Sequence, residues 1–369
     1  MAKTFNNLWE AVTSWPSLLA AWEKTAKGRH RQRDVITFRA NLEPNLIELQ
    51  NSLIHKTYQT GPYHLFFVFE PKRREISSLP LKDRIVQHAL VATLEPIFDA
   101  RFIDQSYACR PGKGAHRGAD AVQAYLREVN RKHGSVCALK ADISKYFPSI
   151  SHDVLKRQIR RRIACSETLT LIDGIIDSTA DPSDTLPRGI PIGNLTSQLF
   201  ANIYLNDLDY FVKHTLREGR YLRYMDDFAI VHPDKSHLHL VRRDIEDFLW
   251  AHLGLRTNAK TQVFPVGDGG RALDFLGYRI WPTHRALRKD SINRMKRKMK
   301  RMASLYHQGR ITWDEIDPVI MSWVAHARHA DTYNLRSKIL GGVAFTPPPL
   351  LSDRHMIAQR NARKKLLDT

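Results

Sequence analysis

Two short apolar stretches meet at a pair of aspartates in residues 221–231 (YLRYMDDFAIV). This pattern predicts two β-strands joined in a hairpin, with Asp226 and Asp227 at its tip. A third carboxylate, Asp142, comes at the end of another predicted strand, residues 135–143. Carboxylates at the ends of buried strands are costly when unpaired, and divalent cations such as Mg²⁺ relieve that cost. The pattern therefore favours a metal site. The alternative is a solvated turn, because Asp is a common turn residue.

The chain is strongly basic. Its 369 residues include 57 Lys and Arg against 38 Asp and Glu, a formal net charge of +19. A globular protein with this charge usually binds a polyanion, with nucleic acid as the first candidate and an anionic membrane as the second. Hydrophobic residues at 43% and charged residues at 26% exclude a fully disordered chain, a collagen-like repeat and a disulfide scaffold.

Neither the apolar runs nor the cysteines indicate a membrane or secreted protein. No uncharged apolar run approaches the roughly 18 residues that a membrane helix needs. The apolar N-terminal stretch contains Glu10 and Pro16, which predicts an amphipathic helix rather than a signal peptide. Cys109, Cys137 and Cys165 show no zinc-binding spacing, so we expect reduced cysteines in an intracellular protein.

A strongly basic helix is predicted after Pro282. Residues 281–310 carry ten Lys and Arg against one acid, Asp290. Apolar residues recur there at steps of three and four, which predicts one apolar helix face and an opposite basic face. Elsewhere, periodicity predicts helices over most of residues 5–60 and over 81–99, 196–213 and 313–330, a strand over 63–69, and a strand pair over 273–281.

Four segments occur in the order found in the palm of reverse transcriptases. They are ALKADISKYF (138–147), GIPIGNLTSQLFANIYL (189–205), RYMDDFAIV (223–231) and FLGYRIW (275–281). Because the four stand in order, the chain resembles this family. The resemblance implies an α+β right-hand polymerase fold with fingers, a palm whose antiparallel sheet is backed by helices, and a helical thumb. It assigns N-terminal helices and fingers, with part of the palm, to residues 1–135, the palm to 136–282, the thumb to 283–345 and a basic C-terminal tail to 346–369.

The resemblance also implies a set of metal ligands. Asp142, Asp226 and Asp227 match the catalytic aspartates that bind two Mg²⁺ ions, with Mn²⁺ as a substitute, and the backbone carbonyl of Ile143 is a further ligand. Two metal ions about 4 Å apart can hold the attacking and leaving oxygens of an in-line phosphoryl displacement. Lys260 matches a general acid that protonates the leaving pyrophosphate.

Further residues are assigned to the incoming deoxynucleoside triphosphate. Arg74 resembles the fingers residue that grips the triphosphate, because a guanidinium can bind phosphate bidentately. Phe147 matches the steric gate that excludes a 2′-hydroxyl, with a core phenylalanine as the alternative. The remaining nucleotide-binding candidates are Lys72, Arg84, Tyr146, Ile192, Gly193 and Gln198, and for the cations a solvated charge is the alternative.

Two later segments are assigned to the nucleic acid. Phe275, Leu276, Gly277 and Tyr278 resemble the primer grip, where glycine permits close approach of the backbone to the primer end. The basic helix matches a thumb helix that contacts phosphates, with a solvated basic face as the alternative. Its candidate contact residues are Lys296, Arg297, Lys298, Lys300 and Arg301.

The segment around Gly193 narrows the resemblance. Many reverse transcriptases have Gln-Gly followed by Ser-Pro, whereas this chain has Ile192-Gly193 followed by Ser197-Gln198. That variant resembles the reverse transcriptases of diversity-generating retroelements, as do YACRPGKGAH (107–116), FLGYRIWPTHRALRK (275–289) and HARHADTYNL (326–335).

This subtype implies a specific biology. Such enzymes copy a template-repeat RNA into cDNA with low fidelity at adenines, and the cDNA replaces a variable region of a target gene by mutagenic retrohoming. The implied partners are the template RNA, the RNA–cDNA hybrid and a pentameric basic accessory variability protein. The implied location is the cytoplasm, in a bacterial or phage-encoded system. Two alternatives stay open: a phage-defence or group II intron-like reverse transcriptase, and a non-catalytic RNA-binding protein of the same fold.

The substitution at position 192 suggests a physical hypothesis for low fidelity. Ile192 would lie beside the nascent base pair, where a glutamine could form a hydrogen bond. A β-branched aliphatic side chain offers shape without a polar check, and shape alone discriminates by only about 1–3 kcal/mol.

Overall fold

The computed structural model describes residues 3–69, 73–180, 183–268 and 270–348. The chain divides into two units between Pro265 and Val266. This division falls before the predicted boundary of palm and thumb at residues 282 and 283. The predicted C-terminal tail, beyond residue 348, lies outside the described residues.

The first unit begins with helices and a strand, as the sequence predicted for residues 5–60 and 63–69, and a second strand that was not predicted pairs with the first in a hairpin. The fifth helix has the predicted bounds, because its apolar residues keep helical spacing from end to end. In chain order, the elements are α1 (Trp9–Thr13), α2 (Trp15–Ala26), α3 (Arg33–Ala40), α4 (Leu42–Ile54), β1 (His64–Val68), β2 (Arg74–Ser78) and α5 (Leu81–Asp99).

A four-stranded sheet carries the three aspartates. Its strands are β3 (Val136–Asp142), β4 (Tyr221–Tyr224), β5 (Asp227–His232) and β6 (Gln262–Val266), in the spatial order β4-β5-β3-β6. The central pair, β3 and β5, is antiparallel and places Asp142 opposite Asp227. The β4–β5 pair is also antiparallel, with Tyr224 opposite Asp227. The predicted hairpin is therefore confirmed, with Met225 and Asp226 as its two-residue turn.

Helices pack around this sheet and complete the first core. α11 (Lys235–Phe248) contacts β3 and α6 (Ala115–His133) contacts β5, while α10 (Leu195–Tyr210) packs on α5 and α8 (His152–Arg160). Apolar residues of the sheet and of α5, α8, α10 and α11 belong to one buried cluster. The elements are α6 (Ala115–His133), α7 (Tyr146–Ser149), α8 (His152–Arg160), α9 (Ser166–Asp177), α10 (Leu195–Tyr210) with a π-helical turn (Phe211–Thr215), and α11 (Lys235–Phe248) with a second π-helical turn (Leu249–Leu253).

Within its described residues, 266–268 and 270–348, the second unit contains a small antiparallel sheet and three helices. Met295, Met299 and Met302 of its first helix are buried together with Ile316 and Ile339, which confirms the predicted apolar stripe. Its elements are β7 (Leu273–Phe275), β8 (Tyr278–Ile280), β9 (Arg285–Leu287), α12 (Lys289–His307), α13 (Trp313–Ala327) and α14 (Tyr333–Leu340). In the part of the chain that the structure describes, no helix combines the length and the hydrophobicity needed to cross a membrane.

Candidate active site

The three predicted metal-binding aspartates lie at one end of the four-stranded sheet. Asp142 is the last residue of β3, and its partner across the strand pair is Asp227, the first residue of β5. Directly opposed residues of an antiparallel pair have Cα atoms about 4.5–5.5 Å apart. Asp226 precedes Asp227 in the hairpin turn. The sheet register therefore brings together carboxylates that are far apart in the sequence.

The electrostatics of this cluster show crowded negative charge. Burial and the neighbouring Asp142 carboxylate raise the pKa of Asp226 to about 6. Asp227 adds to this rise in pKa, and Arg74 of β2 opposes it. Mg²⁺ binds carboxylate oxygens and would neutralise the repulsion among these three aspartates. The residues present therefore fit the predicted ion.

The aspartate side chains are not arranged as a complete metal site in the described residues. Across residues 3–69, 73–180, 183–268 and 270–348, no three Asp, Glu, His or Cys side chains are arranged closely enough to hold a metal by themselves. Oδ2 of Asp142 accepts a hydrogen bond from Nδ2 of Asn258 at 3.3 Å. The two-magnesium site thus stays a prediction.

A loop that the sequence did not single out supports Asp142. The backbone N–H of Asn258 donates to the carbonyl of Asp142 at 2.6 Å, and Ile143 forms an isolated β-bridge with Thr257. The predicted general acid, Lys260, is exposed in the same loop, where its backbone N–H donates to Oδ1 of Asn258 at 3.1 Å. Ile143 itself is buried.

A buried arginine holds the hairpin turn from beneath. Arg223 of β4 is 0% exposed and donates two hydrogen bonds to Asp209, from Nε to Oδ1 at 2.7 Å and from Nη2 to Oδ2 at 2.6 Å. Its Nη1 donates to the carbonyl of Met225 at 3.0 Å. Met225 has φ 57°, a strained conformation for this residue type. The ion pair therefore fixes the backbone just before Asp226.

Every donor of this arginine is used. Nη1 also donates to Oδ1 of Asn202 at 3.1 Å and Nη2 to Oγ of Ser106 at 3.2 Å, so all five guanidinium N–H groups have partners. Tyr221 donates to Oδ1 of Asp209 at 2.7 Å. Burial alone would lower the pKa of Arg223, and the Asp209 carboxylate reverses that effect and raises it. Sequence reasoning missed this cluster, and the available signal was a charged residue inside an apolar strand.

The nucleotide-binding candidates around Gly193 contact the β1–β2 hairpin. The backbone N–H of Ser77 in β2 donates to the carbonyl of Ile192 at 2.9 Å. Gly193 has φ +116°, and a Cβ atom there would lie 2.8 Å from Cγ2 of Ile76. Only glycine fits this approach. The hairpin strand that begins with Arg74 is thereby joined to the Ile192–Gly193 turn.

The other predicted nucleotide-binding residues lie in different environments. Phe147 is half-buried and packs edge-on against Tyr146, with ring centroids 5.6 Å apart. Tyr146 is in the core and donates its hydroxyl to the carbonyl of Ala201, so this side chain differs from the prediction of a nucleotide contact. It is used for packing because its ring lies between α7 and α10. Gln198 is exposed on α10.

The guanidinium of Arg84 is partly engaged by its own chain. Its Nε donates to the carbonyl of Leu79 at 2.7 Å, at the start of α5, and burial lowers the pKa of Arg84. Lys72 lies outside the described residues.

The predicted primer-grip and thumb residues belong to the second unit. Leu276 and Gly277 form the turn between β7 and β8 with φ 52° and 91°, while Phe275 and Tyr278 are buried. Tyr278 donates its hydroxyl to the carbonyl of His326 at 3.0 Å. The five predicted cations of α12 are all exposed: Lys296, Arg297, Lys298, Lys300 and Arg301.

Comparison with known sequences identifies the family of this chain. The family described as "Reverse transcriptase (RNA-dependent DNA polymerase)" matches residues 69–280, more than half of the chain. The chain belongs to the reverse transcriptase family. The matched residues include strand β2, the three aspartates and the turn at Gly193.

Relatives of this reverse transcriptase include bacterial and intron-encoded proteins. Protein YkfC of Escherichia coli is 28% identical over 281 residues, which cover 65% of this chain and 72% of that protein. The group II intron-encoded protein LtrA of Lactococcus lactis is 26% identical over 177 residues, 46% of this chain and 28% of LtrA. Nuclear intron maturase 2 of Arabidopsis thaliana is 27% identical over 190 residues, 46% of this chain and 25% of the maturase. The matched region spans only about a quarter of each of these two intron proteins.

Solved structures similar to this reverse transcriptase include telomerases. A telomerase from Candida tropicalis, in complex with a fragment of telomeric RNA, is 15% identical with a TM-score of 0.47. The match covers 70% of this chain and 52% of the telomerase chain.

Proposed function

We propose that this reverse transcriptase is an active RNA-directed DNA polymerase that uses two Mg²⁺ ions. The observation that carries the proposal is the meeting of Asp142 and Asp227 across the β3–β5 pair, with Asp226 beside them in the turn. Fold retention alone does not need this arrangement, because three neighbouring carboxylates are unfavourable without a cation. The non-catalytic alternative leaves their charge unexplained.

Each residue near the cluster has a task in this proposal. Bound Mg²⁺ would supply charge neutralisation of the reacting phosphate, held by Asp142, Asp226 and Asp227. Arg74 is close enough to Asp226 to influence its pKa, so its guanidinium is available for the triphosphate beside the carboxylates. Lys260, in the loop that binds Asp142, would donate the proton to the leaving pyrophosphate.

We further propose the diversity-generating retroelement as the biological setting. Support comes from the Ile192-Gly193-Asn194 sequence variant, in which Ile192 lies next to β2 of the β1–β2 hairpin. The enzyme would then copy a template-repeat RNA with low fidelity at adenines, in the cytoplasm and with a pentameric basic accessory protein. The second candidate is a group II intron-like reverse transcriptase, which the similarity to LtrA favours.

Primer extension tests the enzyme proposal. With an RNA template, a DNA primer, deoxynucleotides and Mg²⁺, we expect extension by the wild type and none by Asp226→Ala. Asp244→Ala removes an exposed carboxylate on α11 and should extend normally. Extension by the Asp226 variant at the wild-type rate, or none by the wild type with its co-purified RNA, would contradict the proposal.

Sequencing of the cDNA tests the retroelement setting. We expect frequent misincorporation opposite adenines by the wild type and fewer errors by Ile192→Gln, because glutamine restores a polar check. Equal error rates would remove the role given to Ile192. Sequencing of RNA that co-purifies with the chain separates the settings, since a template repeat favours one and an intron the other.

A further inference from the structure

A basic groove lies on the first unit, at the C-terminal half of α10. Helices α8 and α10, the end of α5 and the two π-helical turns enclose a cavity of about 960 Å³. Its α10 residues run from Ile203 to Tyr210, whereas the Gly193 turn lies before the opposite end of this helix. With a rise of 1.5 Å per residue, about 22 Å separate the two ends of α10. We call this cavity the rear groove. Its arginines are Arg101, Arg157, Arg161 and Arg162.

The rear groove has an excess of positive charge. Its single acid, Asp207, is bound by Arg161 at 2.9 Å. The other three arginines form no ion pair with any residue that the structure describes: Arg101, Arg157 and Arg162. Cations gathered in a concave surface without acidic partners attract an anionic ligand.

Stacked rings line the same groove. Phe211 stacks on Phe248 with centroids 4.3 Å apart and an angle of 12° between the rings. Phe248 in turn stacks on His252 at 4.5 Å and 18°. His252 is exposed, so a planar base could continue this stack at its outer face.

Buried acceptors complete the chemistry. Gln158 is only 4% exposed and donates from Nε2 to the carbonyl of Tyr204 at 3.1 Å and to Asp207 at 2.9 Å. Its Oε1 and the Oδ1 of Asn206 are buried, and neither has a hydrogen-bond partner. Both residues line the groove. Both carboxamides thus have an unused acceptor, which a rotation of the side chain toward the groove would present to a ligand that donates hydrogen bonds.

We propose that the rear groove binds a single-stranded segment of RNA outside the polymerase cleft. The arginines bind phosphates, the outer ring of the stack supports a base, and the free acceptors receive a 2′-hydroxyl or an exocyclic amine. An acidic peptide would satisfy the charges but not the rings. Template copying needs only the cleft, so this site goes beyond the proposed function and would anchor RNA during copying.

A binding experiment with the cleft filled tests this site. The full chain is saturated with an unlabelled RNA–DNA hybrid, and fluorescence anisotropy then follows a labelled, unstructured RNA of 20 nucleotides. We expect Arg157→Ala/Arg162→Ala to weaken RNA binding at least about tenfold. Removal of the outer ring in His252→Ala should weaken it about fivefold or more. The control Arg131→Ala/Lys132→Ala removes two exposed charges from the end of α6 and should leave binding within about twofold.

Each other outcome counts against the site. If the filled cleft leaves no RNA binding, or both double variants lose affinity equally, the rear groove is not the anchor. DNA of the same sequence that binds as well as RNA would overturn the assignment to RNA. Primer extension on a short hybrid should be unchanged in all three variants. A loss there would mean that the variants disturb the palm, and the site would be rejected.

Discussion

Two charged clusters lie near the β4–β5 turn: the Arg223–Asp209 pair and the three aspartates. The charges of the first are paired, whereas those of the second repel one another. The Arg223–Asp209 pair is fully buried, and every guanidinium donor has a partner. Burial and the like charge of the neighbouring Asp142 carboxylate raise the pKa of Asp226 to about 6. The first cluster makes the hairpin rigid, and the second keeps unsatisfied charge for a ligand. In the proposed function both clusters are needed, because the Arg223–Asp209 pair holds the turn that keeps the repelling carboxylates in place.

The largest effect is expected when the satisfied cluster is broken. Arg223→Met leaves Asp209 buried without its partner and should lower the free energy of unfolding by about 3–5 kcal/mol. The double variant Arg223→Met/Asp209→Leu should recover part of this loss, because no unpaired charge remains. Urea unfolding measures both values. Arg220→Met removes a more exposed arginine, which lies just before β4 and pairs with Glu128, and should change stability little.

The Arg223–Asp209 pair also positions the turn before Asp226, and a stability measurement alone does not detect this role. The double variant loses the hydrogen bond from Arg223 to the carbonyl of Met225, which holds the strained turn. We therefore expect a folded protein whose kcat falls while its KM for deoxynucleotides changes little. A double variant with wild-type kcat would mean that the pair acts only on stability.

The repelling cluster should respond in the opposite direction. In metal-free buffer at pH 7, Asp226→Asn should raise the free energy of unfolding by up to about 3 kcal/mol while abolishing primer extension. Because the folded-state pKa of Asp226 is raised to about 6, the wild type loses stability as pH rises from about 4 to 6. The difference between the two proteins should grow over that range and stay constant above it. Added Mg²⁺ should stabilise the wild type more than the variant.

The contrast also separates what the sequence could predict from what it could not. The hairpin at Asp226 and helix α5 follow from local periodicity, which neighbouring residues carry. The partnership of Arg223 with Asp209 depends on how α10 packs under β4, and no local pattern encodes that contact. Tyr146 shows the same limit, because its ring packs in the core and its hydroxyl donates to the carbonyl of Ala201, 55 residues away, a contact that no local pattern encodes.

A smaller effect on stability is expected at the Ile192–Gly193 turn, beside the β1–β2 hairpin. Gly193→Ala places a Cβ atom against Ile76 at a φ of +116°, which should cost about 1–3 kcal/mol. The strain would push β2, and Arg74 with it, so KM for deoxynucleotides should rise. Gly174→Ala in α9 has open space and should be neutral or slightly stabilising. Equal KM values for the Gly193 variant and the wild type would separate this turn from nucleotide binding.

The smallest effect is expected at Asn258, whose side-chain amide donates a hydrogen bond to one of the repelling carboxylates, Asp142. Asn258→Ala removes the amide hydrogen bond to Asp142 but keeps the backbone bond, and should cost about 1 kcal/mol in unfolding experiments. Asn258→Asp keeps the shape and adds a fourth carboxylate to the cluster, so its loss of stability in metal-free buffer should be larger. Mg²⁺ should then restore the Asp variant more than the Ala variant. If the Asp variant is no less stable than the Ala variant without metal, the carboxylates at this end of the sheet do not repel one another.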